Sequence, residues 1–225
     1  MLGGALAMAA KDLRLVLARG TGLIQALLLG LLLIFLFSLS RHTGELTPPQ
    51  AAAAVFWLAS AFCQVLVFNT LYSLEEVNGQ RMGLVLSPMP THSVWLGKAL
   101  AGMVLIVAAQ CVFVPATIVF LGQEVRGSAL LGLGTVLAVD WGLVALGSLL
   151  GALAQGQAAR ESLLSIILFP LLVPILLAGV RLVTGLFAGG AIEGVTSWLG
   201  IAGAFDALFT GAGLVLFPFV YGAEE

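Results

Sequence analysis

The residue types that most often perform chemistry are few and scattered in this chain. It has two cysteines, Cys63 and Cys111, and two histidines, His42 and His92, and none of them has the spacing of a metal site. Both cysteines lie in apolar stretches, where they are predicted to be packed thiols. The chain also lacks a Gly-x(4)-Gly-Lys-Ser/Thr loop for nucleotide phosphates. It is therefore predicted not to be an enzyme and not to hydrolyse ATP by itself.

The carboxyl group of Asp140 stands in the middle of a long apolar stretch, and we interpret it as the only acid well inside a predicted span. Burying a charge at that depth costs several kcal/mol. Asp140 is therefore expected to pair with another polar group, to face a cavity or to be protonated. Functional and packing roles both stay open for it. Gln110 is the other strongly polar side chain expected in the interior.

The elements that must position these residues are apolar. Hydrophobic residues make up 60% of the chain and charged residues 9%, and the mean hydropathy is +1.13. A water-soluble domain of 225 residues needs far more charge on its surface. The net charge of −2, without a basic run, gives no indication of nucleic-acid binding. Six stretches have the length of about 20 apolar residues that a spanning helix needs, namely residues 22–40, 51–74, 99–121, 129–154, 163–180 and 198–220.

Helices are the expected form of all six stretches. In lipid, only helices and closed barrels satisfy every backbone polar group, and a barrel strand would alternate apolar and polar residues. Runs such as residues 27–34 do not alternate. The first stretch follows basic residues, as a signal peptide would, but no clear small-x-small cleavage site comes after it. The sequence predicts an uncleaved, all-α membrane protein whose residues 1–225 form one domain.

The basic residues predict the orientation of the chain. With a cytoplasmic N-terminus, six of them lie on the inner side and three on the outer side, which favours two cytoplasmic termini. Residues 1–19 are too polar to span and are predicted to form a short helix in the membrane interface. The alternative is a positively charged flank of the first span. The inner residues are Lys11, Arg14, Arg19, Arg81, Lys98 and Arg160, and the outer ones are Arg41, Arg126 and Arg181.

Two features are predicted near the fifth span. Pro170 and Pro174 should kink it by freeing backbone carbonyls. Residues 182–197, which follow it, are apolar and rich in glycine but too short and broken to cross the bilayer. They are expected to form a pair of short re-entrant helices that dip into the outer leaflet under cover of the protein.

The longest inner connection, residues 75–98, is the most informative segment. Glu75 and Glu76 lead it, residues 80–86 can form two helical turns, and the prolines at Pro88 and Pro90 must end that helix. A short helix held between two spans is a suitable lever for a soluble partner. The alternative is an ordinary loop whose prolines only redirect the chain.

The spacing in this segment resembles the heme exporter protein B (CcmB) family of the cytochrome c maturation system. A second similarity lies at residues 163–177, which match the family's Leu-Leu-Ser-Ile-x(3)-Pro-x(3)-Pro-x-Leu pattern. Length, span number and the basic N-terminal segment agree, so the resemblance covers essentially the whole chain. The matching positions of the inner connection are Glu75, Gly79, Leu86, Pro88, Pro90 and Lys98.

The resemblance implies the permease subunit of an ABC transporter in a bacterial inner membrane. Its fold would be the ABC-2-type exporter fold, with a cytoplasmic coupling helix between spans two and three. The expected partners are two copies of an ATPase that carries ATP and Mg²⁺, a second copy of this chain, a haem-handling membrane subunit, a small single-span subunit and a periplasmic haem chaperone. The residues expected to couple to the ATPase are Glu75, Glu76, Gly79, Arg81, Leu84, Leu86, Pro88, Pro90 and Lys98.

The complex is expected to handle haem and to deliver it to, or release, the chaperone, while this chain holds no cofactor of its own. Neither His42 nor His92 lies within a predicted span, so a buried bis-histidine haem is not expected. One alternative function is an ABC permease of the same fold that exports lipid, glycan or drug. Another is the membrane anchor of a respiratory enzyme, although such anchors usually need histidines within their spans.

Overall fold

The computed structural model describes the backbone of residues 2–41, 46–77, 83, 89–154, 158–189 and 194–222. Its description of side chains leaves out residues 75–77, 158–166 and 221–222 within these ranges. The described part forms seven helices and has no strand. This confirms the all-α prediction. The helices are α1 Leu2–Arg19, α2 Thr21–Leu39, α3 Pro49–Val77, α4 Thr91–Leu121, α5 Ala129–Ala154, α6 Ala158–Ala188 and α7 Val195–Gly222.

Six of these helices, α2 to α7, are long and apolar enough to cross a membrane. The six predicted spans are therefore confirmed, and the fourth has the predicted bounds, residues 129–154. The fifth differs most, because α6 covers residues 158–188 rather than 163–180, and in the third span α4 begins at Thr91 rather than at residue 99. Pro90 sits at the position just before this helix, with φ −59° and ψ 135°, where its fixed φ and missing N–H disturb no helical hydrogen bond. Lys98 consequently lies inside α4.

The predicted short N-terminal helix is present as α1. Gly20 separates it from α2, because its φ of +67° is accessible to glycine without strain and breaks the helical path. The buried residues Ala5, Met8, Asp12 and Val16 recur every three or four positions and so share one face of α1. Its placement in a membrane interface stays a prediction.

The bundle is built around α3, α4 and α5. The short helix α1 packs mainly on α4, α2 packs on α3, α6 packs on α3 and α5, and α7 packs on α5. Trp57, Trp95 and Phe113 are among the largest fully buried side chains. By contrast, α2 buries only Ala26, Gly30 and Ile34, so most of its surface is exposed in the single chain.

The segment after the fifth span departs from its prediction. Instead of forming a separate short helix, residues 182–188 continue α6, which ends at Ala188 and is followed by Gly189 with φ +70°. Apolar side chains favour this continuation because Leu186 packs against Gly127, just before α5, and Gly132 in α5. The backbone N–H groups of Arg126 and Gly127 also donate to the carbonyl oxygen of Leu186 at 3.0 Å, which satisfies a carbonyl near the end of α6.

Two further predictions concern segments that the structure describes only in part. The last residues of the predicted re-entrant pair, 195–197, form the start of α7. Residues 190–193 lie outside the described residues. The coupling helix predicted at residues 80–86 also lies outside them, apart from the helical residue Gly83.

Candidate functional site

Three helix segments meet at one end of the bundle, which we call the α1 end. They are α1 itself, the last turns of α3 and the first turns of α4. The connection that runs from the end of α3 at Val77 to the start of α4 at Thr91 begins and finishes there. The N–H of Ser93 donates to the carbonyl oxygen of Pro90 at 2.8 Å and closes the first turn of α4. We call this meeting point the junction.

The side chain of Lys98 lies at the centre of the junction and is 0% exposed. Its Nζ is 3.4 Å from Oδ2 of Asp12 in α1 and 3.2 Å from the carbonyl oxygen of Leu71 in α3. The same ammonium lies 4.5 Å from the ring centroid of Tyr72. A buried ammonium needs such partners, because removing a charge from water is costly. Lys98 therefore ties α4 to both α1 and α3.

Asp12 is the acidic partner in the junction, and its side chain is only 3% exposed. Its second oxygen, Oδ1, lies 3.1 Å from Nζ of Lys11, which stays about one third exposed. Both carboxylate oxygens thus face a cation. The hydroxyl of Tyr72 extends the contacts to α5, since it donates to the carbonyl oxygen of Ser148 at 2.7 Å. Four helices are therefore joined by polar contacts around one lysine.

The crossing of α1 and α4 is close because the residue at the crossing point is glycine. A Cβ added to Gly97 would lie 2.6 Å from Cβ of Met8 and 2.8 Å from the carbonyl oxygen of Ala5. Real carbon atoms do not approach so closely, so no larger side chain fits without separating the helices. Near the start of α4, Gly4 faces Met89 and Ser93 at ordinary contact distance. The first half of α1 therefore packs along the first turns of α4 and the residue Met89 that precedes them.

The structure describes only some of the residues expected to contact an ATPase. Glu75 and Glu76 lie in the last turn of α3, where only their backbone is described. Pro90 is exposed at the start of α4. Lys98 is enclosed by its neighbours, so within this chain it holds helices together and presents no charge at the surface. The remaining residues of this prediction lie outside the described residues, namely Gly79, Arg81, Leu84, Leu86 and Pro88.

Sequence reasoning did not identify Asp12 as the partner of Lys98. A signal was present, because Asp12 continues the spacing of Ala5 and Met8 on the apolar face of α1. An acid on the buried face of a helix needs a cation from another element. Among the basic residues, however, the sequence offered no way to choose Lys98 without knowing how α1 crosses α4.

A second polar cluster lies in the interior, between α3, α4 and α5. Nε2 of Gln110 donates to Oδ1 of Asp140 at 2.7 Å and to Oγ of Ser60 at 3.2 Å. The Ser60 hydroxyl in turn donates to the carbonyl oxygen of Phe56 at 3.0 Å. Of the three possibilities stated for Asp140, the structure thus shows a contact with another polar group. Its Oδ2 is buried and has no hydrogen-bond partner among the described residues.

Asp140 is not the only acid inside a span, so that interpretation of the sequence was wrong. Asp206 lies in the middle of α7, and its Oδ1 is buried without a hydrogen-bond partner in the described part of the chain. A Cβ added to Gly142 would lie 2.6 Å from this oxygen, which places Asp206 against α5. One turn further along α7, Thr210 accepts a hydrogen bond from Nε1 of Trp141 at 2.9 Å. The acid was missed because the apolar residues around it dominate the hydropathy of the segment.

The remaining predicted residues are distributed over the bundle. Pro170 and Pro174 both lie inside α6 on exposed positions, and the kink expected there stays a prediction. His92 lies in the first turn of α4, while His42 is outside the described residues. Cys63 is buried as expected. Cys111 is exposed on the single chain, so the packed-thiol interpretation was wrong for it.

Comparison with known proteins agrees with the helical architecture. Residues 4–224 match the sequence model of a family described as CcmB protein. A curated relative, "Heme exporter protein B" of Pseudomonas aeruginosa, is 26% identical over 214 residues. The alignment covers 95% of this chain and 92% of the relative. The similarity therefore extends over all six spans and over the junction.

Proposed function

The chain belongs to the CcmB family, and from this premise we propose that it is a haem-export permease driven by a separate ATPase. The family and the relative's name support a transporter subunit with multiple membrane spans. Movement of the ATPase would rearrange the bundle, and the complex would deliver haem to, or release, a periplasmic haem chaperone. ATP and Mg²⁺ would be bound by the partner, since this chain has no phosphate-binding loop.

The observation that carries the proposal is the position of the junction. The connection between α3 and α4 begins and ends at helices that Lys98 binds together with α1. A force applied to this connection therefore reaches three helices at once, and Tyr72 transmits it to α5 through Ser148. A loop between two helices that are not bound to each other would not transmit the same force to the rest of the bundle. The junction makes residues 78–88 the most effective place for an ATPase to push.

The proposed assembly contains two copies of this chain and two of the ATPase. The weakly buried helix α2 offers a broad apolar surface for the second copy. A haem-handling membrane subunit and a small single-span subunit would complete the complex. The excess of basic residues on the α1 side supports an inner-membrane orientation with both termini in the cytoplasm.

Cysteine crosslinking tests the coupling proposal. Arg81→Cys and Leu84→Cys, each in a Cys111→Ser background, should form crosslinks to the ATPase in native membranes. The matched control is Arg126→Cys, because Arg126 is well exposed at the opposite end of the bundle. It should give no crosslink to the ATPase. Crosslinks from Arg126→Cys together with none from the two inner positions would reverse the orientation and overturn the proposal.

A further inference from the structure

A cavity of about 410 Å³ lies between α4, α5 and α6, toward the end of the bundle opposite α1. This volume falls within the range of about 300–1,000 Å³ that is typical of small-molecule sites. Most of the side chains that line it are aliphatic or aromatic, and none is charged. The polar exceptions are the amide of Gln110 and the thiol of Cys111. The cavity lies away from the junction.

Gln110 forms the polar end of this cavity, and its side chain is held by residues that do not line the cavity. Its side chain is only 4% exposed. The two hydrogen bonds from its Nε2, to Asp140 and Ser60, fix the amide group. Its Oε1 forms no hydrogen bond with any described residue and keeps some exposed surface. This carbonyl oxygen is therefore an acceptor that remains open to the cavity.

The orientation of the amide follows from Ser60. The hydroxyl hydrogen of Ser60 is used in the bond to the carbonyl oxygen of Phe56. Toward Gln110 the Ser60 oxygen can therefore only accept, and it must face the –NH₂ group of the amide. The acceptor of the amide is left on the opposite side. A ligand that forms a hydrogen bond with this amide must accordingly supply the donor.

The mouth of the cavity opens on the outside of the single chain, at the surface of its spanning helices. Val114 and Leu133 line it and are also exposed on the outside of spanning helices. A face of this kind gives a molecule in the hydrocarbon of the bilayer a direct path into the cavity. A partner helix is too wide to enter, because an α-helix with its side chains is about 10–12 Å across. One helical turn alone would need the whole volume.

We propose that this cavity binds an uncharged, largely hydrocarbon molecule from the bilayer that carries a terminal hydroxyl. The hydrocarbon fills the apolar lining, and the hydroxyl donates a hydrogen bond to Oε1 of Gln110. Haem does not meet this description, because its two propionates would find no cation in the lining. The proposal therefore does not depend on the proposed function.

Photolabelling tests the site. Hexadecanol that carries a diazirine, and the corresponding hexadecane analogue without the hydroxyl, are added to membranes that contain the assembled protein. Mass spectrometry then locates the labels. We expect the alcohol to label peptides of α4 and α5 beside the cavity, and the hydrocarbon to label them about tenfold less. Gln110→Leu should reduce labelling by the alcohol to the level of the hydrocarbon.

A second variant keeps the test decisive if Gln110→Leu fails to fold. Ala129 lines the cavity at an exposed position, so Ala129→Phe fills the mouth without disturbing the core. It should abolish labelling by the alcohol. Leu130→Phe is the matched control, because Leu130 is exposed and does not line the cavity. Equal labelling by the two probes would refute the role of the hydroxyl. Labelling that survives Ala129→Phe, or a crosslink from Cys111 to a partner chain at the cavity, would refute the site.

Discussion

Two buried carboxylates, Asp12 at the junction and Asp140 in the interior, are treated very differently by the fold. Each oxygen of Asp12 faces a lysine ammonium, at 3.1 and 3.4 Å. Asp140 receives one hydrogen bond from a neutral amide, and its second oxygen has no partner among the described residues. Fully satisfied polar networks are rigid, whereas partly satisfied ones leave groups that can change partners. The junction therefore holds its helices together. The interior cluster keeps an acceptor, Oδ2 of Asp140, that can take a further hydrogen bond.

This difference has a consequence for transport. A lever is useful only where the helices it moves are bound to one another, which the junction achieves through α1, α3 and α4. A bundle that changes shape also needs a place where polar contacts can be exchanged. Oδ2 of Asp140 and Oε1 of Gln110 are acceptors of the interior cluster that have no partner among the described residues. In the proposed mechanism, force would therefore be received at the α1 end of the bundle, while rearrangement would be easiest near its middle.

The largest effect is expected at the junction. Lys98→Met leaves one oxygen of buried Asp12 without a cation, and we expect the free energy of unfolding to fall by about 3 kcal/mol. Unfolding can be measured by circular dichroism in mixed micelles with increasing dodecyl sulfate. Lys11→Met is the matched control, because Lys11 contacts the same carboxylate from a partly exposed position. It should cost less than about 1 kcal/mol.

A double variant separates the ion pair from simple packing. Lys98→Met combined with Asp12→Leu removes both charges and keeps the volume, so it should recover most of the lost stability. If the double variant instead loses the sum of the two single losses, the pair is not coupled and the junction is held by packing alone.

A smaller effect is expected at the interior cluster. Asp140→Ala leaves one of the two N–H groups on Nε2 of Gln110 without an acceptor and should lower the free energy of unfolding by about 1–3 kcal/mol. Asp140→Asn keeps a carbonyl oxygen there and should cost less. The matched control is Asp206→Ala, since Asp206 loses no hydrogen bond to a described residue. Unfolding as above and haem staining of mature cytochrome c are the two measurements.

The two measurements decide between the roles left open for Asp140. A packing role predicts that Asp140→Asn retains both stability and cytochrome c maturation. A functional role predicts that the same variant is stable but that maturation falls. The contrast between the two regions would fail if Asp140→Ala destabilised the protein more than Lys98→Met does.

The spans themselves were predictable from the sequence because lipid imposes a simple rule. A helix must supply about 20 apolar residues to cross the hydrocarbon, and such stretches are visible without any knowledge of packing. The short helix α1 was also predictable. Its charges are incompatible with a membrane span, and the spacing of its apolar residues favours a helix with one apolar face. Boundaries were less certain where apolar residues continue beyond the span, as in residues 182–188, which extend α6.

The contacts of the sites were not predictable in the same way. Lys98 was identified from its place after Pro90, but its partners come from helices 27 and 86 positions away in the sequence. Gln110 and Asp140 were both expected in the interior, yet only the packing of α4 against α5 brings them within hydrogen-bond distance. The cavity is formed by three helices together, and no sequence pattern in any one of these helices predicts it.

The smallest effect is expected at the edge of the junction. Tyr72→Phe removes the hydrogen bond from the Tyr72 hydroxyl to the carbonyl oxygen of Ser148. We expect a loss of about 1 kcal/mol in the free energy of unfolding. The ring remains in place, so the contact between Lys98 and the aromatic face is retained. The same unfolding measurement should therefore show that Lys98→Met is almost as damaging in the Tyr72→Phe background as in the native chain.

Ser148→Ala is the control for this bond. The Tyr72 hydroxyl also lies 3.1 Å from Oγ of Ser148, so either the carbonyl oxygen or the side chain could be the partner that matters. If the carbonyl is that partner, Tyr72→Phe should cost the same with and without the serine hydroxyl. A Tyr72→Phe effect that disappears in Ser148→Ala would assign the bond to the side chain. The link from the junction to α5 would then depend on a hydroxyl that can rotate away, rather than on a backbone atom fixed by the helix.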